Sequence, residues 1–287
     1  MIGERRATYA GYRTRELYVE GTGPKLVLVH GFGHPAPSWG PVLAECERTG
    51  QPAVAVDLPG LGEADPLTAG PQLPQLVRFL AAVVTAQGAA TPVVLVGNSL
   101  GAATCVRMLD TITGLPVGGL VALDTATDQW TLLVKIALAG HGKPLAALAG
   151  LPVPRLAHRR TAARAAGKLL YGRPRMADLA MVNLLLEQFG SPQHRRELVS
   201  TGGRYASEVA AVATVRNIGC PTIVVHGTRD RLVTVAGSRN LAAAVPGSRL
   251  VVLEGIGHCP QLEVPDRITA LARQLARGIA VGHHETA

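Results

Sequence analysis

The chain has 287 residues, 47% of them hydrophobic, with 28 basic against 20 acidic residues and a net charge of +8. That is enough apolar side chain for one large core, yet no stretch approaches the ~18 uninterrupted apolar residues of a membrane span. Four scattered cysteines (Cys46, Cys105, Cys220 and Cys259) form neither a C-x-x-C pair nor zinc-ligand spacing, so neither a disulfide framework nor a metal site is expected. The start, Met1-Ile2-Gly3-Glu4-Arg5-Arg6, has no apolar run after its basic residues, which predicts no secretory signal and a cytoplasmic protein.

In chain order, the first twenty residues, with Tyr9, Tyr12, Leu17, Tyr18 and Val19, predict an antiparallel strand pair at one edge of a sheet. Short Val/Leu/Ile runs at 25–30, 52–57, 92–97, 119–124, 221–226 and 248–254 then alternate with helical segments. Near-continuous apolar runs suit strands buried on both faces. The alternation predicts an α/β fold, a mostly parallel sheet with helices on both sides. Between Asp124 and Pro221 it breaks down, and the residues there read as helices interrupted by Gly140, Gly150, Pro152, Pro154, Gly172, Pro174 and Pro192. From about Gly278 to Ala287 periodicity fades and a frayed tail is expected.

The most informative segment is Gly97-Asn98-Ser99-Leu100-Gly101, which follows the strand-like Pro92-Val93-Val94-Leu95-Val96 and precedes small, helix-compatible residues. Strand, G-x-S-x-G, helix is the pattern of a nucleophile elbow, a turn so sharp that only small neighbours fit beside the serine. Two later segments support it. Asp230 lies in the loop leaving the run Thr222–Gly227, and His258 lies in the glycine-rich loop after Ser248–Leu253. The chain order Ser, Asp, His distinguishes one fold from other serine hydrolases. With these residues the chain resembles the α/β-hydrolase fold enzymes. The resemblance extends to Lys25–Val29 followed by His30-Gly31-Phe32-Gly33, to Pro52–Val56 followed by Asp57-Leu58-Pro59-Gly60, and to Gly257-His258-Cys259-Pro260 entering the last helix.

The resemblance implies an eight-stranded, mostly parallel sheet carrying an inserted helical cap, with core residues 1–126 and 206–287 and cap residues 127–205. It implies Ser99 as nucleophile, His258 as general base and Asp230 as the acid that orients it, with Asp124 a second candidate acid. The oxyanion donors would be the backbone N–H groups of Phe32 and Leu100. Candidate pocket residues are His30 and Cys259, for which a structural bond to backbone near the oxyanion loop and a packing role respectively are the stronger readings, and Trp39 and Trp130, for which ordinary packing is an equal alternative. No cofactor is implied. The expected reaction is cleavage of a carboxylic ester or thioester through an acyl-enzyme. Carbon–carbon bond hydrolysis of ring-cleavage products is the enzymatic alternative, although those enzymes carry an aromatic residue where this chain has Cys259. A ligand-sensing receptor with little turnover is a third reading.

The expected cap is also strongly basic. Between Asp128 and Asp178 there is no acidic residue, while Lys135, Lys143, Arg155, Arg159, Arg160, Arg164, Lys168, Arg173 and Arg175 are basic. Arg160, Arg164 and Lys168 fall at helical i, i+4, i+8 spacing, one stripe of like charge. A solvated helix face accounts for it, as does recognition of an anionic or carrier-bound acyl substrate. The stripe lacks interleaved aromatics, so nucleic acid is not an expected partner. Oligomeric state is left open.

Overall fold

The computed structural model describes residues 1–138, 155–187, 191–210, 215 and 217–284. Its frame is an eight-stranded sheet in the order β1-β2-β4-β3-β5-β6-β7-β8. The strands are β1 (Gly3–Tyr9), β2 (Tyr12–Val19), β3 (Leu26–Val29), β4 (Ala53–Val56), β5 (Val93–Asn98), β6 (Val117–Leu123), β7 (Thr222–Gly227) and β8 (Arg249–Leu253). Only β2 runs against its neighbours, β1 and β4; the remaining pairs are parallel. The β1–β2 hairpin closes through Ala10 and Gly11, both at positive φ (49° and 88°), the backbone twist that two-residue hairpin loops favour.

Helices α1 (Gly40–Arg48) and α10 (Pro265–His284), the latter preceded by the short α9 (Pro260–Glu263), cover one face of the sheet, and α2 (Gln72–Gln87), α3 (Leu100–Thr111) and α8 (Val235–Ala244) the other. The period-2 alternation of strands sorts the core accordingly. In β3, Val27 and Val29 pack with Leu76, Phe79 and Leu80 of α2, while Leu26 and Leu28 pack with Leu43 of α1 and Ile268 of α10. Cys46 and Cys105 are buried core residues. The expected fraying does not begin at Gly278. Helix α10 continues to His284, because Ile268, Ala272, Ala276 and Ile279 form one apolar stripe against the sheet.

The chain between β6 and β7 contains α4 (Leu132–Leu138), α5 (Arg155–Leu170), α6 (Leu179–Glu187) and α7 (Pro192–Ala210). The expected breaks at Gly140, Gly150, Pro152 and Pro154, and Lys143, lie outside the described residues. Helix α7 runs unbroken across 205–206, so the expected domain boundary falls inside a helix. The reason is that α7 is bolted to the core: the Glu208 carboxylate accepts the N–H groups of Gln72 (2.9 Å) and Leu73 (2.6 Å). It thereby caps the N-terminus of α2, where Pro71 offers no side-chain cap. Among the described residues, no helix is long and apolar enough to cross a membrane.

Candidate active site

The loops leaving β3, β5, β6, β7 and β8 meet at the carboxyl edge of the sheet, where an open α/β sheet forms its binding crevice. Ser99 joins β5 to α3 with φ 53° and ψ −114°, a conformation costing about 1–3 kcal/mol for a non-glycine residue. The fold holds it there: Ser99 N–H donates to Leu123 O (2.8 Å), and Ser99 O accepts from Ala103 N (2.9 Å) and Ala126 N (3.2 Å). The flanking glycines follow from space. A Cβ on Gly97 would sit 2.7 Å from the Ala102 backbone, and one on Gly101 would sit 2.2 Å from Val29 O.

His258 Nδ1 lies 2.7 Å from Asp230 Oδ2. Pairing with a carboxylate puts the proton on Nδ1 and leaves Nε2 as the basic nitrogen. The other oxygen, Asp230 Oδ1, accepts from Leu232 N (2.7 Å) and Val233 N (3.1 Å). Burial alone would raise the Asp230 carboxyl. The positive charge and hydrogen bond of His258, with those two N–H donors, outweigh it and hold the group below the usual carboxylate range. The imidazole is anchored through its own backbone: His258 N–H donates to Leu170 O at the end of α5 (2.9 Å), and His258 O accepts from Asn98 Nδ2 (3.0 Å).

Asp124, at the end of β6, is the second carboxylate here. Its Oδ1 accepts from Gly227 N (2.9 Å), its Oδ2 has no partner, and its backbone is strained at φ 43°. Burial first, and then the charge of Asp230, push its carboxyl well above the ordinary aspartate value. Of the two, Asp230 is the one engaged with His258, and Asp124 is the one whose neutral form burial favours. Ligand atoms of Asp124, Asp230 and His258 lie within 4.8 Å of one another, close enough in principle to share a cation. The donor set argues for another use, because Asp230 and His258 are already spent on each other and Asp124 resists ionisation.

Ser99, His258, Gly31, Phe32 and Leu100 line one cavity of about 250 Å³. Leu100 is the first residue of α3, so its N–H has no acceptor within the helix. The Phe32 loop packs on the serine, since a Cβ on Gly31 would lie 3.3 Å from Ser99 Cβ. Trp130 also lines the cavity, fixed because its strand-like segment pairs with the loop carrying Asp230. Three other expected pocket residues lie outside this lining. His30 Nδ1 donates to Gly31 O (2.9 Å) and its Nε2 accepts from Leu58 N (2.9 Å); burial keeps the ring neutral and structural. Trp39 is buried against α1 on the opposite face of the sheet. Cys259 is buried with Sγ 4.0 Å from His34 Nε2, its thiol pushed far up by burial.

The segment between β6 and β7 grips both loops of the Asp230–His258 pair. Glu263 accepts from Gly257 N (2.7 Å) and Gly172 N (3.0 Å). Arg229 donates to Gly172 O (3.2 Å), and Arg231 to Lys168 O. The backbones touch so closely that a Cβ on Gly172 would lie 2.2 Å from Gly255 O. Sequence reasoning missed Asn98, His34, Tyr205 and Glu263. Asn98 stands inside the elbow motif, His34 directly follows the His30–Gly33 segment, and Glu263 closes the segment Gly257–Glu263 that resembles the family's histidine loop; Tyr205 carries no local signal.

Comparison with known proteins places this geometry among relatives. The sequence pattern described as the alpha/beta hydrolase family matches residues 26–271. The pimeloyl-[acyl-carrier protein] methyl ester esterase of Stenotrophomonas maltophilia is 27% identical over 276 residues, covering 91% of this chain and 96% of that protein. A thermophilic esterase from Thermogutta terrifontis superposes with a TM-score of 0.73 at 21% identity, covering 96% of this chain and 99% of that one. The 2-hydroxy-6-oxo-6-phenylhexa-2,4-dienoate hydrolase of a Rhodococcus species superposes with a TM-score of 0.75 at 20% identity, covering 96% and 99%. At those identities the two structures are evidence of shared fold.

Proposed function

Because the chain belongs to the alpha/beta hydrolase family, we propose that it is a serine hydrolase cleaving a carboxylic ester or thioester through an acyl-enzyme. The observation that carries this reading is the 2.7 Å His258–Asp230 pair in the same cavity as a serine held at φ 53°. Ser99 Oγ attacks the carbonyl carbon while His258 Nε2 takes its proton. Asp230 fixes the tautomer and stabilises the imidazolium. The Phe32 and Leu100 N–H groups receive the oxyanion as it forms. Collapse expels the alcohol or thiol, which takes the proton from His258. Water, deprotonated by the same imidazole, then attacks the acyl-enzyme and releases the acid and Ser99.

Residues 127–205 act in this reading as the cap. Lys135, Arg164, Lys168, Arg173 and Arg175 are exposed on it, and Arg160, Arg164 and Lys168 share α5 at the expected spacing. An acyl group delivered by an acidic carrier, as the name of the Stenotrophomonas relative specifies for that enzyme, would meet this charge from outside. The carbon–carbon reading is the weaker one. A dienoate carries a carboxylate, and among the described residues lining the cavity there is no Lys or Arg.

The test is intact-protein mass spectrometry after fluorophosphonate treatment of wild type and Ser99→Ala. One adduct on wild type, absent from the variant, is expected. A folded wild type that takes no adduct overturns the hydrolase reading in favour of ligand sensing.

A further inference from the structure

Two buried carboxyl groups crowd one imidazole at this site. A carboxyl oxygen of Asp124, one of Asp230 and a ring nitrogen of His258 all lie within 4.8 Å of one another. Both carboxyl side chains are fully buried. Like charges that close, out of water, do not both ionise. Asp230 has the stronger claim to the charge, with His258 on Oδ2 and two backbone N–H donors on Oδ1. Asp124 Oδ1 accepts from Gly227 N (2.9 Å), but Oδ2, as an ionised oxygen, has nothing to accept from among the described residues. His226 Nδ1 lies 3.4 Å from Oδ1, yet burial favours the neutral form of that imidazole, and Ser238 Oγ at 2.9 Å is its nearer neighbour.

Protonation resolves the orphaned oxygen. A buried acceptor without a donor is costly, whereas the carboxylic acid carries an O–H donor of its own. The Asp230 carboxylate is the acceptor at hand. Burial first, then the charge of Asp230 and a side-chain hydrogen bond with it, favour the acid form of Asp124 against the opposing Gly227 N–H. The backbone points the group there. Asp124 takes the left-handed φ of 43°, which Asp tolerates better than most residues, with its own N–H on Val225 O (2.9 Å). Gly227, whose N–H holds Oδ1, accepts the Asp230 N–H through its carbonyl (3.1 Å). One oxygen of Asp124 thus fixes the strand end from which the Asp230 loop departs.

We infer that Asp124 is a positioning residue: as the carboxylic acid it donates its O–H to the Asp230 carboxylate and holds that group aligned on His258 Nδ1. This rests on the hydrolase reading and deepens it, since Asp230 serves the reaction only while it faces the imidazole. The role differs from that of Asp230, because Asp124 contributes a donor and no charge to the imidazolium. An amide can copy it. Asn offers an oxygen to Gly227 N and an N–H to Asp230, while Gly tolerates the left-handed backbone and offers neither.

Wild type, Asp124→Asn and Asp124→Gly are compared in p-nitrophenyl butyrate hydrolysis, in the rate at which a fluorophosphonate labels Ser99, and in Tm. Asp124→Gly should lower kcat by about 10–100-fold with KM little changed. Asp124→Asn should restore most of that loss, and the labelling rates should follow the same order. In wild type, ¹³C NMR of the aspartate carboxyls, with Asp124 assigned by its absence from Asp124→Asn, should find that group still protonated at a pH where ordinary aspartates are ionised. Full kcat in Asp124→Gly, or an Asp124→Asn as impaired as Asp124→Gly, overturns the inference. So does an ionised Asp124 in wild type, an observation that needs no turnover and decides the matter even where Asp124→Gly does not fold. A wild type that takes no fluorophosphonate adduct fails the hydrolase reading instead, and the carboxyl signal still reports on Asp124.

Discussion

The strand-end loops and the segment between β6 and β7 meet the same cavity but contribute different groups to it. On the loop side the groups around His258 are engaged, while His34 Nδ1, Thr125 Oγ1 and, as an ionised oxygen, Asp124 Oδ2 are buried without a partner. Asp230 accepts from His258 and two backbone N–H groups, Asn98 bonds the His258 carbonyl, and Glu263 closes on Gly257 and Gly172. On the side of α7, Tyr205 packs its ring and leaves its hydroxyl unpaired. Preorganised groups suit the chemical step, because they cost no reorganisation as charge develops. The contrast teaches that, among the described residues, the cavity takes most of its polar side chains from the strand-end loops and a largely apolar wall from the inserted segment.

The comparison breaks most sharply at the loops. Ser99→Ala and His258→Ala should each lower kcat by about six orders of magnitude, and Asp230→Asn by about four, measured by steady-state ester hydrolysis with Tm held as a control. A lesser loss at Asp230 than at Asp124 would move the orienting role to Asp124. Next is the contact between the two regions. Gly172→Ala must displace the Gly255 carbonyl and with it the His258 loop. It should cost roughly 1–3 kcal/mol in chemical denaturation and lower kcat more than it changes KM.

Asp124→Asn sharpens the contrast between the two carboxylates. Asp124 stays protonated in the fold to a pH well above the ordinary aspartate value. Unfolding therefore releases a proton, and wild-type stability falls as pH rises from the ordinary value through the raised one. The neutral amide removes that dependence. The stability difference in favour of Asp124→Asn should grow as pH rises above the ordinary aspartate value, by at most about 1.4 kcal/mol per pH unit, while kcat changes little. Thermal melts across that range check it, and a difference that does not grow would mean Asp124 is already ionised.

Glu208→Gln loosens the insert from the core. Losing the charged cap on α2 should cost about 1 kcal/mol, a fall in Tm of about 2–4 °C. The smallest effect is electrostatic. Arg164→Glu with Lys168→Glu should leave small p-nitrophenyl esters unaffected and weaken kcat/KM several-fold for an acyl-carrier-linked ester at low salt, the difference vanishing at about 1 M salt. Equal effects on both substrates would mean the stripe serves the fold.

Much of this was legible in the sequence because it is local. The parallel strands β3, β4, β5 and β7 announce themselves as short apolar runs, since each is buried on both faces. The elbow is readable because only glycine tolerates the contacts at 97 and 101. Asp230 and His258 are readable because each lies in the loop at the end of a strand. What depended on distant packing was not legible. Trp39 looks like a pocket wall three residues beyond Ala36, yet Ala36 N–H bonds Asp57 Oδ1 and the chain turns beneath the sheet. No periodicity in α7 distinguishes Tyr205 from a core tyrosine; only the Phe32 contact places it at the cavity. Likewise the choice between Asp124 and Asp230 turns on a 2.7 Å contact to His258 and on burial. The sequence by itself determined the strand order of functions, the serine turn and the residues able to act. The tertiary structure decided which carboxylate meets His258 and which side chains line the cavity, because those depend on packing between segments distant in the chain, as where Phe32 meets Tyr205.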